Sequence, residues 1–438
     1  MSVLKLKAEL VARKNEVKSF PLIANKLQGA NEFNWEHVVG YFIKYCFRGS
    51  ISKANIDEFR FTCQTKFEEK LDAPEFWQHI KEMYFENDEL FKISPELLLF
   101  KASNAKAKSP ESRMGRFFLN LLQDFYLKER PKTKLNFIEK EIVSAFESSL
   151  VNGSVAGTVT EKPKEEPFLP FIAEQFAKDL VFLNSKPKYF LNSLKDFLRL
   201  YAFLYTAQLS INLTTWRQGE PSPKKCFFIM DHERASDERT WVKGFGYKQL
   251  ERGFEKVFPY LAMNESLQES DSVKLPLWKV AEQISDENLD ILNNYIVSFA
   301  DDRNLPIPDP KLSNSMEALA ELLELSERQF GKTESRYDVN VKYRKDIENE
   351  MCKHFIQNRG RAGRVLVFNQ DYIMMLTNLA IGAEREQLRF HELVLEFESR
   401  GVFFDKQSQK VLVDFYERIG NVQRMSDSGD AVYVRKTV

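Results

Sequence analysis

The sequence has little cysteine. Only four of its 438 residues are cysteines, and no two of them stand at the short spacing that a zinc site or a redox motif requires. A chain of this length does not depend on disulfides, so we interpret all four as reduced thiols of the core: Cys46, Cys63, Cys226 and Cys352.

The sequence also has almost no excess of either charge. Its 63 basic and 64 acidic side chains leave a net charge of -1. Such a protein has no overall field that would draw it to nucleic acid or to anionic lipid. Any nucleic-acid site must therefore be a local patch.

Long uncharged apolar runs are missing as well. Residues 1–17 mix both charge signs through the apolar positions, which excludes a secretory signal peptide. The most apolar stretch, residues 190–213, contains Lys195, Asp196 and Arg199, whereas a membrane-spanning helix needs about 20 nearly uncharged residues. We therefore expect a cytoplasmic protein.

Bulky apolar residues, by contrast, are plentiful. Hydrophobic residues make up 43% of the chain and include 37 Phe, which excludes global disorder. At about 100–200 residues per domain, the length predicts two to four domains. The prevailing helical spacing predicts a mainly α, multi-domain protein, with a small β element in the middle domain and a C-terminal winged helix-turn-helix.

Changes in composition divide the chain. Residues 151–167 are rich in Gly, Ser, Thr, Pro and charge, as is typical of a linker, and the Pro-dense segment 305–315 cannot be helical. We predict an N-terminal helical domain (1–150), a linker (151–167), a mainly helical middle domain (168–304), a connector with a helical pair and an Arg-rich loop (305–365), and a winged-helix domain (366–438).

Apolar periodicity places elements in the middle of the chain. It predicts one strand, Cys226 to Met230, and helices over residues 171–183, 191–210, 247–258, 316–330 and 338–356.

The C-terminal segment has the clearest pattern. It predicts helices over residues 371–381, 388–399 and 406–419, a short strand over 402–404, and a hairpin of 422–425 and 431–435 around the turn SDSGD. This order is that of a winged helix-turn-helix, whose third helix usually reads a DNA groove.

Three fragments together resemble parts of a nucleotide-driven motor. Gly331, Lys332 and Thr333 match the end of a phosphate loop, but Ser326 replaces its first glycine and a helical pattern precedes them. The strand with its acidic pair comes before this motif, the reverse of the usual order, and the arginine run 357–364 follows it too closely. We therefore predict that Gly331 ends a helix and that the chain is not an NTPase.

Acidic residues after the predicted strand suggest a metal site. Asp231, His232 and Glu233 follow the strand directly, with Asp237 and Glu238 a few residues on. Neighbouring residues of an extended chain point to opposite faces, so a metal would need further ligands from elsewhere. We predict a capped loop here, and neither a metal, a cofactor nor a catalytic residue in the chain.

A run of arginines favours a binding function. Arg359, Arg361 and Arg364 lie among two glycines and an alanine with no acid between them, so their guanidinium groups could contact successive DNA phosphates. The alternative is a solvated loop between domains.

The residue pattern of the third C-terminal helix predicts one buried stripe and one exposed face of mixed charge. The stripe consists of Val411, Leu412, Phe415 and Ile419. The exposed face consists of Lys406, Gln407, Lys410, Asp414 and Glu417.

The hairpin adds charge of both signs. Arg424 and Arg435 lie on its strands, Lys436 follows the second strand, and Asp427 and Asp430 lie at its tip. Balanced charge leaves two alternatives open: DNA contact through these cations together with Lys406 and Lys410, or docking onto a partner protein.

The last fifth of the chain, Arg389 to Val438, resembles the end of the phosphorothioation-dependent restriction protein G family, called DptG or DndG. The resemblance rests on the segment from Ser426 to Arg435 and on the preceding pairs, which are Glu398 with Arg400-Gly401 and Phe404 with Asp405. The apolar strand that ends in residues 231–233 also looks like the middle of that family.

The resemblance implies an accessory subunit of a bacterial anti-phage restriction system, the DndFGH complex, which attacks DNA that lacks the phosphorothioate mark. It implies an ATPase and a helicase-like partner subunit and no catalytic residues in this chain. We therefore expect a non-catalytic subunit that binds double-stranded DNA and assembles the complex. The alternative is a winged-helix adaptor that docks proteins without touching DNA.

Overall fold

The structure, a computed structural model, is mainly helical. It describes residues 3–12, 14–25, 27, 29–49, 51, 55–71, 73, 75–102, 109–149, 161–234, 239–307, 312–425 and 431–438. Helices account for 60% of it and the strands form small sheets, which confirms the predicted fold class at this level. No helix within these ranges is both long enough and apolar enough to cross a bilayer.

Contacts group the chain into two units. The helical unit comprises Phe33–Pro163 and Phe176–Leu198, and the mixed unit comprises Met1–Glu32, Lys164–Gln175 and Arg199–Thr437. The first 32 residues thus share a unit with the C-terminal half of the chain. The division into five segments stays a prediction, and residues 151–160 of its linker lie outside the described ranges.

The helical unit is built around phenylalanine. Phe118 and Phe176 stack at 5.6 Å between ring centroids, and Phe42 meets both of them edge-on. Gly115 allows the close approach of one helix to another, since a Cβ there would lie 2.6 Å from the Cβ of Tyr41. Its helices are α1 (Trp35–Cys46), α2 (Ile56–Glu68), α3 (Phe76–Lys81), α4 (Pro110–Leu122) and α5 (Phe137–Ser149), with parts of α6 (Pro170–Asn184) and α7 (Pro187–Asn212).

The mixed unit contains the remaining helices and the strands. The helices are α8 (Thr240–Gly244), α9 (Tyr247–Leu267), α10 (Leu277–Gln283), α11 (Leu289–Arg303), α12 (Ser315–Arg328), α13 (Tyr337–Asp346), α14 (Gln370–Ile381), α15 (Phe390–Ser399) and α16 (Lys406–Arg418). The strands are β1 (Phe227–Met230), β2 (Ile356–Asn358), β3 (Arg364–Phe368), β4 (Gln387–Arg389), β5 (Phe403–Phe404), β6 (Val422–Met425) and β7 (Ala431–Arg435).

The strands form two sheets. The first has the order β2-β3-β1-β5, in which β3 and β5 run parallel to β1 and β2 runs antiparallel to β3. The second is antiparallel, with the order β4-β7-β6. The short strand predicted over residues 402–404 is β5. It belongs to the first sheet, where Phe403 lies opposite Phe227.

Two sequence-based helices were wrong at their ends. The helix predicted over 338–356 stops at Met351 after a π-helical turn, and its last predicted residue, Ile356, begins β2. The helix predicted over 388–399 begins at Phe390, because Leu388 lies opposite Val434 in the second sheet.

The helix predicted to end at Phe258 instead continues through Pro259 as part of α9. Proline lacks the amide that would bond to the carbonyl four residues earlier, which is that of Glu255. Asn340 of α13 donates to that carbonyl at 2.8 Å, and Ser326 of α12 donates to the carbonyl of Pro259 at 2.9 Å. The side chain of Asn340 therefore replaces the bond that the proline removes, and Ser326 adds a further link between α12 and α9.

The N-terminal segment, residues 3–12 and 14–25, packs against the helices of the mixed unit. The carboxylate of Glu265 accepts the amides of Lys18 and Ser19 at 2.9 Å each. Tyr343 donates to the carbonyl of Leu22 at 3.3 Å. Burial raises the pKa of Glu265 above its ordinary value of 4.5, although its hydrogen bonds with Ser19 and Lys18 oppose the shift.

Gly401, at the turn between α15 and β5, is a residue that the fold requires. It has a φ of +79°, and a Cβ there would lie 2.3 Å from Nε2 of Gln208. The buried Gln208 amide donates to the carbonyls of Gly401 and Lys224 and accepts the amide of Lys224. A side chain at position 401 would therefore disturb three hydrogen bonds.

We expect Gly401→Ala to destabilise the protein more than Gly420→Ala. Both glycines have positive φ, 79° and 71°, but a Cβ at Gly420 would meet no atom within 4 Å. The shared backbone strain should cost roughly 1–2 kcal/mol, and the clash at Gly401 about 1–3 kcal/mol more. Urea unfolding measures both, and equal losses would contradict this account of Gly401.

The raised pKa of Glu265 predicts a pH effect. A carboxyl whose folded pKa lies above its unfolded value binds its proton more tightly in the folded state, so its contribution to stability falls as pH rises through that window. From acid to neutral pH, the free energy of unfolding of Glu265→Gln should therefore increase relative to that of wild type. Urea titrations at a series of pH values measure the difference, with the exposed Glu16→Gln as a control; a constant difference would refute it.

Candidate nucleic-acid interface

The carboxyl ends of three parallel strands meet at one edge of the first sheet. Each strand is followed there by a polar residue, namely Asp231 after β1, Asn369 after β3 and Asp405 after β5. This edge is where open α/β sheets usually place functional side chains. Asn369 and Asp405 both accept backbone amides at 2.9 Å and so cap α14 and α16.

A buried ionic cluster lies at this edge, formed by Glu233, Arg239, Asp405 and Ser408. Arg239 binds Asp405 through two nitrogens, at 3.0 and 2.5 Å, and also pairs with Glu233. Ser408 accepts a hydrogen bond from Arg239 at 2.7 Å and donates to Glu233 at 2.9 Å. The cluster joins the end of β1 to the first turn of α16.

Glu233, one of the residues that suggested a metal site, is engaged in other contacts. Arg239 occupies the carboxylate of Glu233, which also accepts the amide of Met230 at 3.0 Å. His232 lies 3.4 Å from the carboxylate of Asp231 and 3.4 Å from Arg418 of α16. No three potential metal ligands come together among the described residues, and Asp237 and Glu238 lie outside them.

The outer face of α16 is exposed as its sequence predicts. The exposed residues are Lys406, Gln407, Lys410, Asp414 and Glu417. Lys406 and Lys410 have no hydrogen-bond or ion-pair partner within the described ranges.

The inner face of α16 differs from the predicted stripe at its end. Leu412 and Phe415 are buried, whereas Val411 is only half-buried. Ile419 is 45% exposed, because the helix ends at Arg418 and the chain turns at Gly420. Tyr416 is buried in its place, and its hydroxyl lies 2.6 Å from that of Thr377 on α14.

The three loop arginines have different environments. Arg359 donates to the carbonyl of Asp231, and Arg364 donates to Glu348 at 2.6 Å and to the hydroxyl of Tyr247 at 2.7 Å. Both contacts raise the pKa of Arg364, and the hydrogen bond with Tyr247 has the larger effect. Arg361 is exposed and has no partner in the part of the chain that the structure describes.

The cations of the hairpin also differ. Arg435 is exposed and binds the side chain of Gln423 within the second sheet. The ammonium group of Lys436 is enclosed, 2.7 Å from the carbonyl of Arg385 and 3.0 Å from the carboxylate of Glu386. The side chain of Arg424 and the turn of residues 426–430 lie outside what the structure describes.

Two residues of this region were missed by sequence reasoning. Arg239 follows a charged stretch with no recognisable motif, and Ser408 was one of several polar residues on α16. The sequence did contain one signal for such a partner, the helix cap Asp405. This carboxylate directly follows a buried strand, and a carboxylate that is removed from water needs a cation nearby. The Gly331 motif behaves as predicted, since its amide bonds to the carbonyl of Arg328 at the end of α12.

Comparison with known proteins gives no relative, since no family model and no curated protein matches the chain.

The buried cluster predicts a large effect of removing its cation. Replacing Arg239 with Met leaves the carboxylates of Glu233 and Asp405 unpaired in a buried place, which should cost about 3–5 kcal/mol of unfolding free energy. Adding Glu233→Gln to that variant should restore part of the loss, because one buried charge is removed. Urea unfolding of the single and double variants tests this, and a loss below about 1 kcal/mol would show that the cluster is not desolvated.

Proposed function

We propose that this chain is a non-catalytic subunit that binds double-stranded DNA and assembles a phosphorothioation-dependent restriction complex acting on unmodified DNA in the bacterial cytoplasm. Its partners would be an ATPase subunit and a helicase-like subunit. Membership of that complex rests on the resemblance of Arg389 to Val438 to the restriction protein G family. The DNA-binding part rests on the geometry of the C-terminal segment.

The strand order of the second sheet carries the DNA-binding part. In chain order the segment has α14, β4, α15, β5, α16, β6 and β7. Strand β5 belongs to the first sheet, and β7 lies between β4 and β6 in the second. A winged helix has this arrangement, with its first strand between the first two helices and its hairpin after the third. The pairing of Leu388 with Val434 supports the proposal, because sequence reasoning had not included β4.

The exposed cations are the candidate contacts for DNA. In a winged helix the third helix is the usual groove reader, and here it is α16, with Lys406 and Lys410 exposed on its outer face. Arg361 and Arg435 are exposed as well. Arg364 is paired with Glu348 and Lys436 is enclosed, so the proposal omits both from the contact set.

A salt titration tests DNA binding. Replacing Lys406, Lys410 and Arg361 with Ala should each lower the slope of log affinity against log salt by about 0.9 on duplex DNA, since each lost phosphate contact releases one counterion fewer. Arg364→Ala is the matched control, and its slope should equal that of wild type. Unchanged slopes in all three variants would remove these residues from a DNA site.

A second function, docking onto a partner protein, is favoured by two exposed apolar residues of the same segment. Leu395 on α15 is 60% exposed and Ile419 after α16 is 45% exposed. Asp414 and Glu417 also lie on the outer face of α16 and would repel phosphate.

Charge reversal separates these two functions. In the double variant Lys406→Glu with Lys410→Glu, DNA binding through α16 predicts loss of duplex affinity and retained co-purification with partner subunits. Docking through α16 predicts the reverse. Measuring both properties on one preparation decides between them, with Leu395→Ser as a variant that should affect docking alone.

A further inference from the structure

A cavity of about 820 Å³ opens in the mixed unit, and none of the candidate DNA-contact residues lines it. Its walls come from the N-terminal segment and from α9, α13 and the ends of α11 and α12. Pockets that hold small organic ligands usually measure about 300–1,000 Å³. The cavity is therefore large enough for such a ligand.

Specific contacts hold the N-terminal wall in place. The side-chain amide of Asn15 donates to the side-chain carbonyl of Gln329 at 2.8 Å. The ammonium group of Lys342 donates to the backbone carbonyls of Asn25 and Leu27. These contacts tie the N-terminal segment to α13 and to the end of α12. The wall is thus part of the folded unit, and Lys342 is already occupied.

Two guanidinium groups face this cavity. Arg303 is only 5% exposed, and its Nε donates to Gln329 at 3.1 Å. Arg336, just before α13, also lines the cavity, and its guanidinium group has no hydrogen-bond or ion-pair partner among the described residues. Burial first, and then the positive charge of Arg336, lowers the pKa of Arg303.

The balance of charge at the cavity is positive. Four cations line it, Lys14, Arg303, Arg336 and Lys342, against two carboxylates, Asp302 and Asp338. Asp302 already pairs with Arg303. Arg336 stands at the start of α13, a helix without a side-chain cap, where backbone amides and the helix dipole also favour an anion.

The rest of the lining includes aromatic rings. Phe258 and Phe330 lie 5.4 Å apart between ring centroids, and both line the cavity with Val339. A flat apolar group can pack against such rings while its charged end reaches the arginines.

We propose that this cavity binds a small organic phosphate with a planar ring, the chemistry of a nucleotide. Arg303 and Arg336 would hold the phosphate group, and Phe330 with Val339, backed by the buried ring of Phe258, would contact the planar ring. Arginine suits this role because its planar donors match the oxygens of a phosphate. The inference does not depend on the proposed binding of DNA.

Calorimetric titration of the full chain tests the proposal with three probes: adenosine monophosphate, adenosine and inorganic phosphate. We expect adenosine monophosphate to bind more tightly than either part alone. Arg336→Ala should weaken it about tenfold or more, the size of a lost charge-assisted hydrogen bond. Arg328→Ala is the control, because Arg328 is paired with Glu324 on the surface of α12 and does not line the cavity.

A second variant acts by shape. Val339→Trp should block adenosine monophosphate while leaving both arginines in place, and circular dichroism verifies that each variant is folded. Absence of binding by wild type, or binding that neither Arg336→Ala nor Val339→Trp weakens, would overturn the proposal. Inorganic phosphate binding as tightly as the nucleotide would overturn the role of the rings, and adenosine doing so would overturn that of the arginines.

Discussion

The pairing of Arg239 with Glu233 and Asp405 is the interaction on which the C-terminal half of the mixed unit depends. Two carboxylates removed from water require a cation, and Arg239 is the cation that the fold supplies. Because Asp405 also caps α16, the pairing sets where that helix begins relative to β1. The direction in which Lys406 and Lys410 point is therefore determined by a side chain more than 160 residues earlier in the chain.

The first sheet extends the same constraint to the whole C-terminal segment. Strand β1 pairs with β3 on one side and with β5 on the other, so the residues before α14 and those before α16 are fixed to one central strand. Gly401 and Gln208 add a second link, from the turn after α15 to α7. The proposed winged helix is thus built on the mixed unit and is not an appended module.

Much of the helical framework was predictable, whereas short strands and charge partners were not. The strands Val422–Met425 and Ala431–Arg435 were predicted to the residue, because alternation and turn residues are local signals. Strand β4 has three residues and owes its conformation to β7 alone. The three arginines of the loop likewise look alike in the sequence. The structure distinguishes them, because Arg359 contacts Asp231 and Arg364 contacts Glu348, so that of the three only Arg361 lacks a partner among the described residues.

The attachment of the N-terminal segment has a consequence for biosynthesis. Ser19 bonds to Glu265 and Asn15 to Gln329, separations of 246 and 314 residues. At about 5–20 residues per second, a ribosome needs at least roughly ten seconds to deliver these partners after the segment has emerged. Asn15 and Ser19 are thus synthesised well before these partners, and the segment that holds them cannot form these bonds until the partners have been made.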